Sequence, residues 1–497
     1  MAERPETGSA ARVEDARTRG LVLRNATWLA VAQFLVAPVS LLVNIAMARY
    51  LGAADFGYIY VAATLCSFGF LAVDWGGSTA LPSLVARDRA GAGALLGSAL
   101  AWRAATAVAV FGLLAGLCRV LGFDGGQRTA VYLIALALGL GALARACQDA
   151  IRGFERTDFA AYGTVGQALL VALLVVPTLR AGGGLGAALA AQAAAAGIGL
   201  AAVATWLRPA GVRGLSVRRA ALAPLLAEGS PFLLLGAVLA LQTNVDALML
   251  SRLAPSEVMG WQAAALKLVG GLSIPANALI TSLYPTLYRL HAADPDAYRS
   301  TARAGLKAGA LLAVPIALGC ALYPRLGVWL FSERSFGPAA DNLRVLAPYV
   351  LLLYLTIPLG CCLSAAGRQR AWALGQLGCV AVSLVLDPLL IPLFQTRTGN
   401  GGLGVGVAMV ASEVLMLALA LALAPRGLVD RAVLRSLGLA LAAGGGMVLA
   451  ARLCSGLNPL AAASVSLAAY AGCLWALNAV DRPQVARLWA MVFPGRR

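Results

Sequence analysis

The chain has 497 residues, 60% of them hydrophobic and only 12% charged, with a net charge of +17. An ordinary soluble domain carries about 25% charged residues, so this composition excludes a soluble globular protein and points to a chain held mostly in a bilayer. Lys occurs only twice, and no run of Arg is interleaved with an aromatic platform, which sets nucleic acid aside as a partner.

In chain order, residues 1–24 are polar with mixed charge and read as a cytoplasmic N-terminal tail. Apolar runs then predict spans near 26–48, 56–83, 94–121, 129–150, 159–180 and 184–207. After a basic stretch come spans near 229–251, 258–288, 305–331, 342–366, 370–394, 403–424, 432–453 and 459–480. Strand-length alternation is absent, so a barrel is not expected. The first run lacks a small-residue cleavage site and leads into further spans, so it reads as a retained helix.

The expected organisation is an all-α polytopic membrane protein of about 14 transmembrane helices. Two parallel six-helix bundles, 25–207 and 229–425, flank a cytoplasmic linker at 208–228. Two additional helices follow at 426–480, then a cytoplasmic C-terminal tail at 481–497. Basic residues alternate loop by loop, with Arg87, Arg152, Arg208, Arg289, Arg368 and Arg426 among those on one side. By the positive-inside rule both termini are cytoplasmic.

The two bundles open alike. VNIAMARYLGAADFG from Val43 and VDALMLSRLAPSEVMG from Val245 align with Asn44 opposite Asp246 and Asp55 opposite Glu257. After a one-residue insertion Gly57 matches Gly260, Tyr58 matches Trp261, and Thr64 matches Lys267. Paired similar halves are the usual construction of a carrier that rocks around a central site.

Charges inside spans are costly, and they either pair or line a wet cavity. Arg103 lies about 13 Å into the third span at helical rise, and Lys267 lies at similar depth in the eighth. Each either faces a shared central cavity, where it attracts an anion, or pairs with a carboxylate or snorkels. Arg145, Asp149 and Arg152 fall on one helix face, as a solvated ion-pair ladder or as a waiting site for an anionic headgroup. Asp246 and Asp387 have matching depths, with Asn244 close in sequence. They could hold Na⁺ or share a proton, or else serve as an ion-pair partner and a helix-end cap. Asp74, ahead of Gly76 and Gly77, reads as a local polar cap, and Glu413 completes the acidic set.

Pro38, Pro177, Pro275, Pro285, Pro315, Pro358 and Pro388 permit kinks within spans. The nine Cys have no metal spacing and read as small buried hydrophobes. There is no P-loop, and the only His is His291. No catalytic residue, metal or cofactor is therefore expected, and the chain does not read as an enzyme.

Three stretches carry a family resemblance. They are ARYLGAADFGYIYVAATLCSFGFLAVDWGGSTAL from Ala48, NVDALMLSRLAPSEVMGWQAAALKLVGGLSIPANALITSLYPTLYRL from Asn244, and LDPLLIPLFQTRTGNGGLGVGVAMVASE from Leu386. With their Arg-Tyr-Leu-Gly, acidic-Gly turns and Gly-rich segment, they resemble the Wzx-like polysaccharide and O-antigen flippases of the multidrug/oligosaccharidyl-lipid/polysaccharide exporter superfamily. Gln262, where an aromatic-Ser is common, departs from the pattern, as does the Gly404–Gly406 segment. The resemblance implies a MATE-like pair of bundles around a basic cavity. It implies transport of a polyprenyl-diphosphate-linked glycan from the cytoplasmic to the outer leaflet of the bacterial cytoplasmic membrane, for surface polysaccharide synthesis. The expected partners are that glycan, membrane lipid and a glycan polymerase. Arg103, Arg145, Arg152 and Lys267 become candidates for binding the diphosphate or acidic sugars, and Asp246, Asp387 and Asn244 for ion coupling. The rivals are a cation-coupled multidrug exporter or a lipid II flippase of the same superfamily. A membrane glycosyltransferase would need a large polar loop, and a non-transporting scaffold would not need buried charges.

Overall fold

The computed structural model describes residues 6–425 and 427–479. The expected C-terminal tail lies outside them. All regular structure in the described residues is helical. Thirteen helical stretches are long and apolar enough to cross a membrane. The first of these, Phe34–Arg87, has 54 residues, or about 80 Å at helical rise, enough for two passages. The chain is a multi-pass membrane protein, as its composition requires.

Two compact units divide at Ala240 and Leu241. In the first, α1 (Glu6–Asp74) is interrupted at Gly52, whose φ of 82° and ψ of 179° are open to glycine alone. That break separates the two passages expected at 26–48 and 56–83. A second break at Trp75 and Gly76, both with positive φ, leads into α2 (Gly77–Arg87). Next come α3 (Ala92–Val120), α4 (Gly125–Gly153), α5 (Thr157–Arg180) and α6 (Leu185–Ala210), and then α7 (Arg219–Leu253), which crosses the division. Asp124 starts α4 with a reciprocal capping box to Gln127.

The linker of the first unit is an extended segment seated on α3. Its Arg218 N–H donates to Ser98 Oγ at 3.0 Å, and that hydroxyl donates to the Arg218 carbonyl at 3.1 Å. Glycine is required beneath it, because a Cβ at Gly93 would lie 2.0 Å from the Arg213 carbonyl.

The second unit continues with α8 (Ser256–Leu272), α9 (Ile274–Ala293), α10 (Pro295–Leu322) and three short helices, α11 (Pro324–Phe331), α12 (Glu333–Phe336) and α13 (Ala339–Val345). It closes with α14 (Ala347–Ala365), α15 (Gln369–Thr398), α16 (Gly402–Leu423), α17 (Arg431–Leu453) and α18 (Pro459–Ala476). The α17–α18 pair docks on α10, where Val314 packs with Ala440, Ala443, Met447 and Tyr470. Small residues let these helices approach, as is usual in lipid, where no hydrophobic drive joins helices. Of the prolines expected to permit kinks, Pro38, Pro177, Pro285, Pro315, Pro358 and Pro388 sit inside helices that continue past them, whereas Pro275 stands in the first turn of α9, at the break after α8.

The sequence repeat has a physical counterpart. Tyr58 donates its hydroxyl to Asp124 in the α3–α4 turn at 2.8 Å. Its match, Trp261, donates its indole N–H to the Ser335 carbonyl in the connection between α10 and α14, at 2.9 Å. Each unit thus fastens the same aromatic position to the same connection.

Candidate functional site

In the second unit, the α7 and α15 helices bring two carboxyl groups together. Asp246 is engaged by the Ser383 hydroxyl and by Asp387. Ser383 and Asp387 are one helical turn apart on α15 and so share a face. Asp387 is fully buried and Asp246 partly so. Oδ1 of Asp246 and both oxygens of Asp387 receive no hydrogen bond from any described group. Ionised carboxylates are acceptors only, so two of them in contact repel. The contact becomes favourable when a proton or a small cation lies between them.

Tyr349 on α14 neighbours both Asp246 and Glu413, and Glu413 lies beside Thr356. Three of the four acidic residues singled out from the sequence therefore surround one region of this unit. Asn244 is turned about 200° around α7 from Asp246, and its amide donates to Thr243. No group of three or more His, Cys, Asp or Glu side chains among the described residues could hold a metal ion.

Lys267, on α8, is exposed and makes no ion pair among the described residues.

The first unit arranges its charges differently. Arg103 of α3 is 98% buried by the chain's own atoms. One terminal nitrogen donates to the Ala142 carbonyl at 2.9 Å. The other lies 2.7 Å from Asp74 and 3.2 Å from Asp149. Asp149, with no exposed surface, also sits 2.8 Å from Arg152. The solvated ladder expected along α4 is instead half interior, because the face that carries Asp149 packs toward Arg103. Asp74 combines two roles. It accepts from the Ser78 hydroxyl at 2.9 Å and it balances Arg103. Arg103 thus has its donors engaged within the unit, whereas Arg145 on the same face of α4 is exposed and has no ion-pair partner among the described residues.

Local backbone geometry holds this cluster. Trp75 has a φ of 49° and donates its indole N–H to Leu226 at 3.2 Å. Its ring meets that of Trp102 edge-on, with centroids 5.5 Å apart. A Cβ at Gly76 would come within 2.2 Å of the Gly229 carbonyl, and one at Gly77 within 3.0 Å of the Arg103 guanidinium. The Gly76–Gly77 pair therefore allows both the turn and the buried arginine.

Sequence reasoning named Asp246 and Asp387, which the structure brings together, and Lys267, but it did not name Ser383 or Asp149 as the partner of Arg103. The one-turn spacing of Ser383 and Asp387 was a usable signal. Nothing in the spacing of α3 and α4 reveals that Arg103 meets Asp149.

This architecture defines an all-α multi-pass membrane protein of the exporter-like fold, and the solved structures agree. A "Lipid II flippase MurJ, inward closed conformation" superposes with a TM-score of 0.68 at 12% identity, covering 89% of this chain and 97% of that one. An inward-facing MATE family transporter of the MOP superfamily gives 0.59 at 15% identity, covering 77% and 92%. A MOP superfamily transporter from Pyrococcus furiosus gives 0.54 at 16% identity, covering 80% and 93%. No curated protein matches the sequence. Residues 22–291 match the polysaccharide biosynthesis protein family, and the chain belongs to that family.

Proposed function

We propose that this protein is a flippase moving a lipid-diphosphate-linked oligosaccharide unit from the cytoplasmic to the outer leaflet of the cytoplasmic membrane, by alternating access. The observation that carries the reading is the pair of exposed, unpaired cations within spans, Arg145 in one unit and Lys267 in the other. A charge that faces the bilayer interior without a partner marks a ligand pathway. An anionic diphosphate suits such a cation, and Arg recognises phosphate through paired hydrogen bonds. Arg152, one side of which is taken by Asp149, would supplement Arg145. Arg103 would act by holding Asp149 and Asp74 in place. The polysaccharide biosynthesis family and the likeness to a lipid II flippase both support a lipid-linked glycan as the cargo. The basic loop asymmetry supports cytoplasmic termini.

The Asp246–Asp387 pair would supply the coupling step. Occupied by a proton or Na⁺, it permits α7 and α15 to stay in contact. Emptied, its like charges push them apart. Deleting the gene should cause lipid-linked glycan intermediates to accumulate, and the intact chain should restore export. A deletion strain with normal surface glycan and altered drug sensitivity would instead support the multidrug exporter. Accumulation of lipid II would support the third reading.

A further inference from the structure

Gln262, the residue that departs from the family's usual aromatic-Ser pattern, is the end of a buried chain of amides. Gln262 on α8, Asn342 on α13 and Asn400 in the α15–α16 turn are 1%, 0% and 4% exposed. The backbone fixes the orientation of Asn400. Its Oδ1 accepts from the Gly402 N–H at 3.1 Å, and its Nδ2 points to the Pro338 carbonyl at 3.4 Å. That orientation dictates the next, with Asn400 Nδ2 donating to Asn342 Oδ1 at 2.6 Å. Asn342 Nδ2 then donates to Gln262 Oε1 at 3.0 Å. The polarity set at the turn is thus passed to α8, where Gln262 Nε2 is left buried without an acceptor. Gly402 must lack a side chain for this to form, since a Cβ would lie 2.6 Å from Asn342 Nδ2 and 3.2 Å from Gln262 Oε1.

Among the described residues the first unit shows no such chain. Gln262 aligns with Ile59, and the matching α5–α6 turn is Gly182-Gly183-Gly184, without a side chain. Both ends of the relay therefore belong to the second copy alone, as do Lys267 opposite Thr64 and Asp246 opposite Asn44. The relay joins the helix that carries Lys267 to the helix that carries Asp387, through the ends of each.

We propose that Gln262, Asn342 and Asn400 are positioning residues that make the first turns of α8, the short α13 and the α15–α16 turn move as one piece. Their functional meaning rests on the reading of Lys267 as the anion-facing group and Asp246–Asp387 as the cation-facing pair. A shift of α15 that follows cation occupancy is then delivered to the helix that holds Lys267. The unmet Gln262 N–H gives this linkage a direction, because an unpaired buried donor favours any rearrangement that supplies it with an acceptor.

The test cuts the relay at opposite ends in the purified full chain and reads amide hydrogen exchange. Asn400→Gly copies the glycine turn of the first unit, and Gln262→Met removes the far acceptor while keeping volume. Each variant should raise exchange at the distant end as well as its own, by tenfold or more: Asn400→Gly at residues 256–262, Gln262→Met at residues 399–404. Exchange raised only beside each substitution would overturn the relay. Export assays then measure the half-saturating Na⁺ concentration or the pH midpoint. A several-fold shift in both variants at normal membrane abundance supports the positioning role, and an unshifted midpoint with coupled exchange overturns it. Export by the unaltered chain that is indifferent to both ions would fail the cation-pair reading instead, with the exchange result still deciding the mechanical link.

Discussion

The guanidinium of Arg103 lies 3.2 Å from the carboxylate of Asp149, and neither residue is more than 2% exposed. Each is also held from its other side, Arg103 by Asp74 at 2.7 Å and Asp149 by Arg152 at 2.8 Å, so removing one leaves the other only partly compensated, at less than the roughly 3–5 kcal/mol of a fully unpaired buried charge. Arg103→Ala and Asp149→Ala should therefore each reduce the thermal stability and membrane abundance of the protein. The double variant should lose less than the sum of the two. Additive losses in a thermal-unfolding series would show that the two side chains do not act together.

Lys267 should behave in the opposite way. Because it has no ion-pair partner among the described residues, Lys267→Ala should leave abundance unchanged and the unfolding free energy within about 0.5 kcal/mol of the parent. It should nevertheless lower glycan export at least tenfold in a deletion background. Arg145→Ala should act similarly. Full export by both variants at normal abundance would rule out the headgroup role.

Neutralising the facing carboxyls removes the repulsion that a proton or cation must relieve. Asp246→Asn combined with Asp387→Asn should give a well-folded protein whose export no longer responds to Na⁺ or to an imposed proton gradient. Export that keeps the parent's cation dependence would exclude this pair as the coupling site.

Gly76 tests the backbone. With its φ of 69° and the Gly229 carbonyl 2.2 Å from any added Cβ, Gly76→Ala incurs both left-handed strain, of order 1 kcal/mol, and displacement of α7. It should lower abundance more than Gly399→Ala just past α15, where the backbone is left-handed in the same way, with φ 72° and ψ 5°, but the surrounding space is open. Quantitative blotting of membranes from matched cultures compares the two.

Outside the spans, Asp430 caps α17 by accepting from the Val433 N–H at 2.9 Å, and it pairs with Arg303 at 3.1 Å. The backbone bond to Val433 holds its carboxyl below the usual aspartate range, with a smaller contribution from Arg303. A depressed folded value means that the charged form stabilises the fold above the unfolded value, and this stabilisation is lost as pH falls through the folded one. Asp430→Ala should therefore destabilise at neutral pH, by about 1 kcal/mol as for other caps. The difference from the parent should shrink in acid. A melting difference independent of pH would exclude the charge as its cause.

Much of this was readable from the residues. The span pattern, the duplicated opening at Val43 and Val245, and the equal depths of Asp246 and Asp387 follow from hydropathy and counting. A helix of known rise converts residue number into depth, so residues at equal depth on different helices can be named. Azimuth is another matter. Arg145, Asp149 and Arg152 share a face by spacing alone, yet that spacing does not tell whether the face meets lipid, water or α3. Only the packing of α4 on α3 shows that Asp149 turns inward to Arg103 while Arg145 stays outside. Breaks are equally hard to place from residue type. Pro358 and Pro388 sit inside helices that continue through, Pro275 opens α9 just after a break, and the breaks at Gly52 and Trp75–Gly76 depend on positive φ.

The matched fastenings made by Tyr58 and Trp261 differ in what can undo them. The first joins two side chains, so a substitution at either Tyr58 or Asp124 can remove it. The second ends on a main-chain carbonyl, which a substitution at Ser335 leaves in place. The turn of the first unit therefore depends on two residue identities and that of the second on one, giving the two halves unequal tolerance of sequence change.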